Sequence, residues 1–203
     1  MAKRQLKIAI DYDDVLVPTA HAIVDEYYRR YGFRVALRNF YSDEPEDWGV
    51  SRIEIAEQRV NEFLLSDKFA RSTPLEEAVT VVHRLVQYHT LYVVTARADN
   101  LIPATKSVVE EFFPDCFAGL EFTNYYYGKT GKRRSKGEVC SELGVDVMVD
   151  DNPDHIYSAV GRVPAGILFG DYPWSCGATL PAGVVRCVSW PEVEAEIDRL
   201  AHS

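Results

Sequence analysis

The sequence predicts an α/β fold: a parallel β-sheet layered between helices in three layers, α/β/α, with a small helical cap inserted after the first strand. Three observations carry this expectation. Short apolar, β-branched runs alternate with longer stretches of helical period. That alternation marks βαβ units, whose right-handed crossovers build a mainly parallel, Rossmann-like sheet covered on both faces. Three of the runs end in polar residues of chemical interest: Asp11 and Asp13, Thr95, and Asp150 and Asp151. A parallel sheet gathers such strand ends at one edge, where ligands bind. Finally, about 55 residues of helix and loop follow the first strand before a second appears, far more than a crossover needs.

The 203 residues fit one domain with an insertion. The expected boundaries are 1–17 and 74–203 for the α/β core and 18–73 for the cap. A hydrophobic content of 47% and an aromatic content of 12% supply a core. The net charge of -9 argues against a nucleic-acid polymer as partner. It leaves room for a small anionic substrate held by a few local cations. Cys116, Cys140, Cys176 and Cys187 have no metal-ligand spacing. The first seven residues are basic but lack the apolar core of a secretion signal. No apolar run approaches the roughly 20 residues of a membrane span. A soluble, cytoplasmic protein without a membrane partner is expected, of open oligomeric state.

In order, Ile8-Ala9-Ile10 is the first strand, closed by the acids Asp11, Asp13 and Asp14. Pro18 and Thr19 start a helix with Val24, Tyr27, Tyr28 and Tyr31 at helical spacing and Gly32 as its stop. After an irregular stretch over 33–50, Ser51 is expected to cap a second helix to about Leu65. Thr73-Pro74-Leu75-Glu76-Glu77 reads as a helix start with proline in the first position and acids in the first turn. Leu91–Val94 is a strand, Asp99 the cap of a helix to about Phe113, and Leu120–Phe122 a short strand. A loop follows with Tyr125, Tyr126 and Tyr127 and the cations Lys129, Lys132, Arg133 and Arg134, read as scaffold and a solvated surface. Ser135 caps a helix from Lys136 to Leu143, closed by Gly144. Strands at 145–149, 166–169 and 184–188 complete the sheet; Asn152 caps a helix over 154–161, and Trp190 opens the terminal one.

The polar strand ends suggest one chemistry. In a strand, Asp11 and Asp13 share a face, and two carboxylates held together repel unless a cation or a shared proton intervenes. Alone, that pair could be a solvated acidic turn, Thr95 a helix-capping hydroxyl and Lys136 a surface lysine, although a first-turn lysine sits against the helix dipole. Together, four carboxylates at one point bind a hard divalent ion, for which Mg²⁺ fits best because it shares its oxygen ligands with phosphate. Asp11 is then a candidate nucleophile, and Asp13 a candidate general acid and base. A hydroxyl (Thr95) and an ammonium (Lys136) can bind the transferring oxygens.

The ordered set Asp11-Tyr12-Asp13, Val94-Thr95, Lys136 and Asp150-Asp151 is similar to the four motifs of the haloacid-dehalogenase-like (HAD) phosphatases. The resemblance runs from about residue 6 to 153. It implies Asp11 as nucleophile, Asp13 as acid and base, and Thr95, Ala96, Arg97 and Lys136 around the phosphate. Arg97 alternatively pairs with an acid of the cap. The implied Mg²⁺ ligands are Asp11, Asp13 through its backbone carbonyl, and Asp150 or Asp151. One departure stands out: the usual glycine after the second acid is Asp14 here. A narrower set, Val93-Val94-Thr95-Ala96-Arg97, Ser135–Cys140, Pro173-Trp174 and Val188-Ser189-Trp190, resembles the 5'(3')-deoxyribonucleotidase-like branch. That implies a nucleoside monophosphate, with Phe40, Tyr41 or Trp48 stacking on the base.

The expected function is therefore a Mg²⁺-dependent phosphomonoesterase acting through an aspartyl-phosphate on a nucleoside monophosphate or another small phosphate ester. A receiver domain shares an acidic pair, Thr and Lys. It would carry its phosphorylated Asp between the pair and the Thr, where this chain has its helical insert. A binding or scaffold protein on a catalytically retired fold is the alternative from another class.

Overall fold

The computed structural model describes residues 3–125 and 133–203. Tyr126, Tyr127, Lys129 and Lys132 of the predicted loop lie outside the described residues. Six strands, β1 (Lys7–Ile10), β2 (Thr90–Thr95), β3 (Phe117–Phe122), β4 (Val147–Asp150), β5 (Ala165–Phe169) and β6 (Val184–Cys187), form one sheet of order β3-β2-β1-β4-β5-β6. Every pairing is parallel.

The order follows from the chain's path. From β1 it winds outward through β2 and β3, then returns to lay β4 on the other side of β1 and winds out through β5 and β6. The winding reverses between β1 and β4. At such a reversal the crossovers leave in opposite directions, and a crevice opens at the carboxyl ends of the two strands.

Side-chain alternation assigns each strand residue to a face. Ile8, Ile10, Leu91, Val93, Val147 and Val149 pack under α3 (Glu76–Leu85), α4 (Ile102–Phe112) and α7 (Trp190–Ala201). Ala9, Val94, Met148 and Leu168 pack under α5 (Lys136–Leu143) and α6 (Pro153–Ala159). Both faces are covered, which is why the strands read as continuous apolar runs. Each fully buried Val, Leu or Ile contributes about 1.5–3 kcal/mol.

Between β1 and α3, residues 18–73 hold α1 (Thr19–Tyr31), α2 (Ile53–Leu64) and three short 3₁₀ turns. They build their own apolar cluster around Ile23, Tyr27, Trp48, Ala56, Phe63 and Phe69, which Leu101 joins. Inside it, Tyr27 donates to the Trp48 carbonyl at 2.9 Å. Glu26 is buried but carries Arg29, Arg30 and Lys68 on its two oxygens, each at 2.5 Å. The hydrogen bonds from Arg29, then Lys68 and Arg30, outweigh burial and hold its carboxyl far below the usual range.

Several local expectations are corrected. The α1 stripe that is buried is Ala20, Ile23 and Tyr27; Tyr28 is exposed, with Arg34 over its ring at 3.9 Å. Ser51 does not cap α2, which begins at Ile53 after an extended Arg52. α3 starts at Glu76, with Leu75 rather than Thr73 at the cap position and Pro74 outside the helix. Asp99 opens a 3₁₀ turn, and its carboxylate accepts from the Asn124 side chain instead of a helix end. The intrinsic preference of a capping residue, about 1 kcal/mol, is small enough for the rest of the fold to override. The start at Ser135 does hold: its hydroxyl accepts from Glu138 N–H, and the Glu138 side chain accepts in return.

Candidate active site

The crevice at the reversal is floored by strand ends. Asp11 directly follows β1, and its N–H still pairs with the Val149 carbonyl at 2.9 Å, so β1 and β4 deliver Asp11 and Asp150 side by side. Asp151 is the next residue. One carboxylate oxygen from each of Asp11, Asp150 and Asp151 lies within 4.8 Å of the others, and all three residues are buried.

Lys136 meets them from the first turn of α5. Its fully buried ammonium reaches Asp11 Oδ2 and Asp150 Oδ2, both at 2.6 Å. That pairing explains a lysine placed against the helix dipole. α5 comes close enough because Gly137 lies against the backbone of α6: a Cβ there would sit 2.0 Å from the Ser158 carbonyl oxygen. Asp150 is further fixed by the Asn152 N–H at 3.0 Å.

Among the described residues, these three carboxylates meet one ammonium in a buried site. Burial pushes the Asp11 carboxyl well above its usual range against the pull of Lys136. Burial, then the charges of Asp150 and Asp11, does the same to Asp151. Burial lowers the Lys136 ammonium, but its two carboxylates more than reverse this and keep it charged. An all-oxygen donor set with excess negative charge fits a hard divalent cation such as Mg²⁺.

Asp13 is placed differently. Its carboxylate is not a member of the trio. It takes a two-pronged pair from Arg97, Nε to Oδ2 at 2.9 Å and Nη2 to Oδ1 at 2.7 Å, and the Thr19 hydroxyl at 2.5 Å. Burial would raise it, but Arg97 and Thr19 leave its pKa below the usual carboxylate value. Arg97 is itself buried, lying over the Tyr12 ring at 3.9 Å and the Phe69 ring at 4.9 Å, with Nη1 donating to Thr105 at 2.9 Å. The carboxylate partner of Arg97 is Asp13 rather than an acid of residues 18–73.

Asp14 occupies a left-handed position, φ 57°. That conformation explains why glycine suits this site and why Asp, which tolerates it, can replace glycine. Its carboxylate accepts the Ala20 N–H at 3.0 and 3.2 Å, at the start of α1. Burial pushes its pKa up to about 8.

Above the acids opens a cleft of about 770 Å³ between the sheet edge and residues 18–73. Asp11, Asp13, Ala96, Arg97 and Asp151 line it, with Phe40, Tyr41, Trp48 and Trp174 on its walls. Thr95, Lys136 and Asp150 are fully buried beneath it. The Thr95 Oγ accepts the Arg97 N–H at 3.2 Å. The structure thus gathers Asp11, Lys136, Asp150 and Asp151 tightly, with Asp13 and Arg97 as an adjacent pair. Thr19 and the loop after β5 escape the sequence reading as site residues. Thr19 reads only as a helix start, and Trp174 only as part of a resemblance.

No family model matches the sequence, and no curated protein sequence matches it. Solved structures do. A haloacid-dehalogenase-like hydrolase from Streptococcus pneumoniae superposes with a TM-score of 0.65 at 13% identity, covering 95% of this chain and 98% of that one. A predicted phosphatase from Clostridium acetobutylicum gives 0.65 at 15% identity, over 96% and 98%. A HAD-family protein from Bacillus subtilis, bound to magnesium, gives 0.64 at 10% identity, over 97% and 100%. With so few shared residues it is the backbone path that is common, and the chain has the fold of the haloacid-dehalogenase-like hydrolases.

Proposed function

We propose that the protein is a Mg²⁺-dependent phosphomonoesterase. The observation that supports it most is the buried meeting of Asp11, Asp150 and Asp151 with Lys136 under an open cleft. Asp11, Asp150 and Asp151 would hold the cation, with the Asp13 carbonyl as a further ligand. Bound there, Mg²⁺ supplies charge stabilisation to the phosphoryl oxygens.

In this reading Asp11 attacks phosphorus through a carboxylate oxygen, the ester P–O bond breaks, and the leaving alkoxide takes a proton from Asp13. Asp13 then removes a proton from water, which attacks the aspartyl-phosphate, and phosphate leaves as Asp11 is regenerated. Held ionised by Arg97, Asp13 suits the base half as it stands; the acid half requires its release from Arg97 or a change in that pair. Lys136 orients Asp11 from below, and Thr95 and Ala96 shape the phosphate pocket.

Residues 18–73 act as a cap that closes the cleft and selects the substrate. The aromatic walls, Phe40, Tyr41, Trp48 and Trp174, suit a flat apolar group, and a nucleoside monophosphate combines that group with a phosphate. The protein is read as soluble and cytoplasmic; among the described residues no helix is long and apolar enough to cross a membrane.

The test is phosphate release from p-nitrophenyl phosphate and a panel of nucleoside monophosphates and other small esters, with Mg²⁺ or EDTA, for the wild type and Asp11→Asn. Release abolished by EDTA and by Asp11→Asn is expected, with a preference among nucleotides. Full turnover by Asp11→Asn removes the mechanism. A flat nucleotide profile removes the stacking role of the aromatic walls. Absence of release from every compound favours a binding protein on a retired fold.

A further inference from the structure

The loop after β5 makes contacts that the phosphatase reading leaves unused. Arg186 of β6 braces it from the sheet, donating to the Gly170 and Ser175 carbonyls at 2.8 and 2.6 Å and to Ser175 Oγ at 3.1 Å. The Tyr172 hydroxyl ties it to the acidic turn, donating to the Asp14 carbonyl at 2.7 Å. The Tyr172 ring lies flat on Trp174, with centroids 4.6 Å apart and planes 5° from parallel.

On this braced loop Trp174 faces two ways. Its indole N–H donates to Asp151 Oδ2 at 2.7 Å, on one of the three clustered carboxylates. Its ring meets Phe40 and Tyr41 of the helical insertion, at 5.8 and 5.4 Å between centroids. Phe40 in turn reaches Trp48, inside the insertion's own apolar cluster. One side chain therefore connects the insertion to the acids across the mouth of the cleft.

We propose that Trp174 is a positioning residue that couples the seating of the helical insertion to the cation site through Asp151. The inference rests on the reading of Asp11, Asp150 and Asp151 as that site. A carboxylate ligand binds well when a hydrogen bond fixes its orientation. Here the donor is stacked on Tyr172 on one side and meets two rings belonging to the insertion. When the insertion is seated, Phe40 and Tyr41 hold the indole and the indole holds Asp151. When it lifts, the indole keeps the stacked Tyr172 but loses both rings of the insertion, and Asp151's donor is held less firmly. Linkage makes the effect reciprocal: a cation on Asp151 favours the seated insertion by the same factor.

The experiment titrates full-length protein with Mn²⁺ and no substrate, reading free Mn²⁺ by electron paramagnetic resonance. Trp174→Phe keeps a ring and removes the N–H. Phe40→Leu removes an insertion ring that offers a cation no polar atom. Trp174→Phe is expected to raise the dissociation constant roughly tenfold. Phe40→Leu is expected to raise it by a smaller factor, and to add nothing in the Trp174→Phe background. Near-UV circular dichroism confirms that each variant is folded. An unchanged constant in Trp174→Phe overturns the role of the indole, and an unchanged constant in Phe40→Leu overturns the coupling. Wild-type protein that binds no Mn²⁺ overturns the cation site and this inference together; binding that is equal in all variants overturns this inference alone.

Discussion

At the scale of single residues, Asp14 shows how one backbone angle decides what a position tolerates. With φ at 57°, any side chain bearing a Cβ is strained there. Asp offsets part of the strain by accepting the Ala20 N–H, but burial makes its charge costly and moves its pKa to about 8. Asp14→Gly and Asp14→Ala both delete the carboxylate, so their difference isolates the angle. Asp14→Ala is expected to be the less stable of the two by about 1 kcal/mol in urea denaturation. Equal stabilities would show that the turn relaxes away from the left-handed region. The charge pairs are also residue-scale facts, and they mark where sequence reading ends. Arg97 and Asp13 lie 84 positions apart, and Trp174 and Asp151 lie 23 apart. Neither pairing has a periodicity to announce it, and Thr95-Ala96-Arg97 reads equally naturally with Arg97 as a substrate contact.

At the scale of elements, the strands are legible in the sequence and several helix starts are not. Buried parallel strands advertise themselves as apolar β-branched runs, so Ile8–Ile10, Leu91–Val94 and Gly166–Phe169 fall within a residue or two of their observed bounds. Helix starts depend on φ and ψ at one residue, where a cap's preference is worth only about 1 kcal/mol; Ser135 caps α5 as its sequence predicts, while Ser51, Thr73 and Asp99 do not cap the helices assigned to them. The contact between α5 and α6 bears directly on the site. Gly137 follows Lys136, and a methyl group there would lie 2.0 Å from the Ser158 oxygen and 2.4 Å from its carbonyl carbon, both backbone atoms. Gly137→Ala must push the two helices apart, at a cost typical of overpacking, about 1–3 kcal/mol. The same displacement draws Lys136 from Asp11 and Asp150. A lowered urea midpoint together with lost phosphate release is expected; full stability would mean that α6 gives way without cost.

At the scale of the whole molecule, the winding of the sheet converts distant sequence into a local charge imbalance. The polar strand ends predict that Asp11, Asp150 and Asp151 meet, because a reversal between β1 and β4 leaves them no other edge. Their crowding makes stability depend on pH in a way that a cation should remove. Asp11, Asp14 and Asp151 all have pKa values raised in the fold, Asp14 from 3.8 to about 8. Between those values folded Asp14 holds a proton that the unfolded chain has released, and Asp11 and Asp151 likewise hold theirs above the usual carboxylate range. Stability therefore falls as pH rises through that window, and the full penalty stands above it. A divalent cation on Asp11, Asp150 and Asp151 replaces the protons of Asp11 and Asp151 and stabilises by mass action, about 2.7 kcal/mol at a hundred times its dissociation constant. The gain in melting temperature from Mg²⁺ is accordingly expected to be larger at pH 8 than at pH 6. Calorimetry at the two pH values, with Mg²⁺ or EDTA, measures the difference. A gain that does not grow with pH would mean that the clustered acids are not where the cation binds.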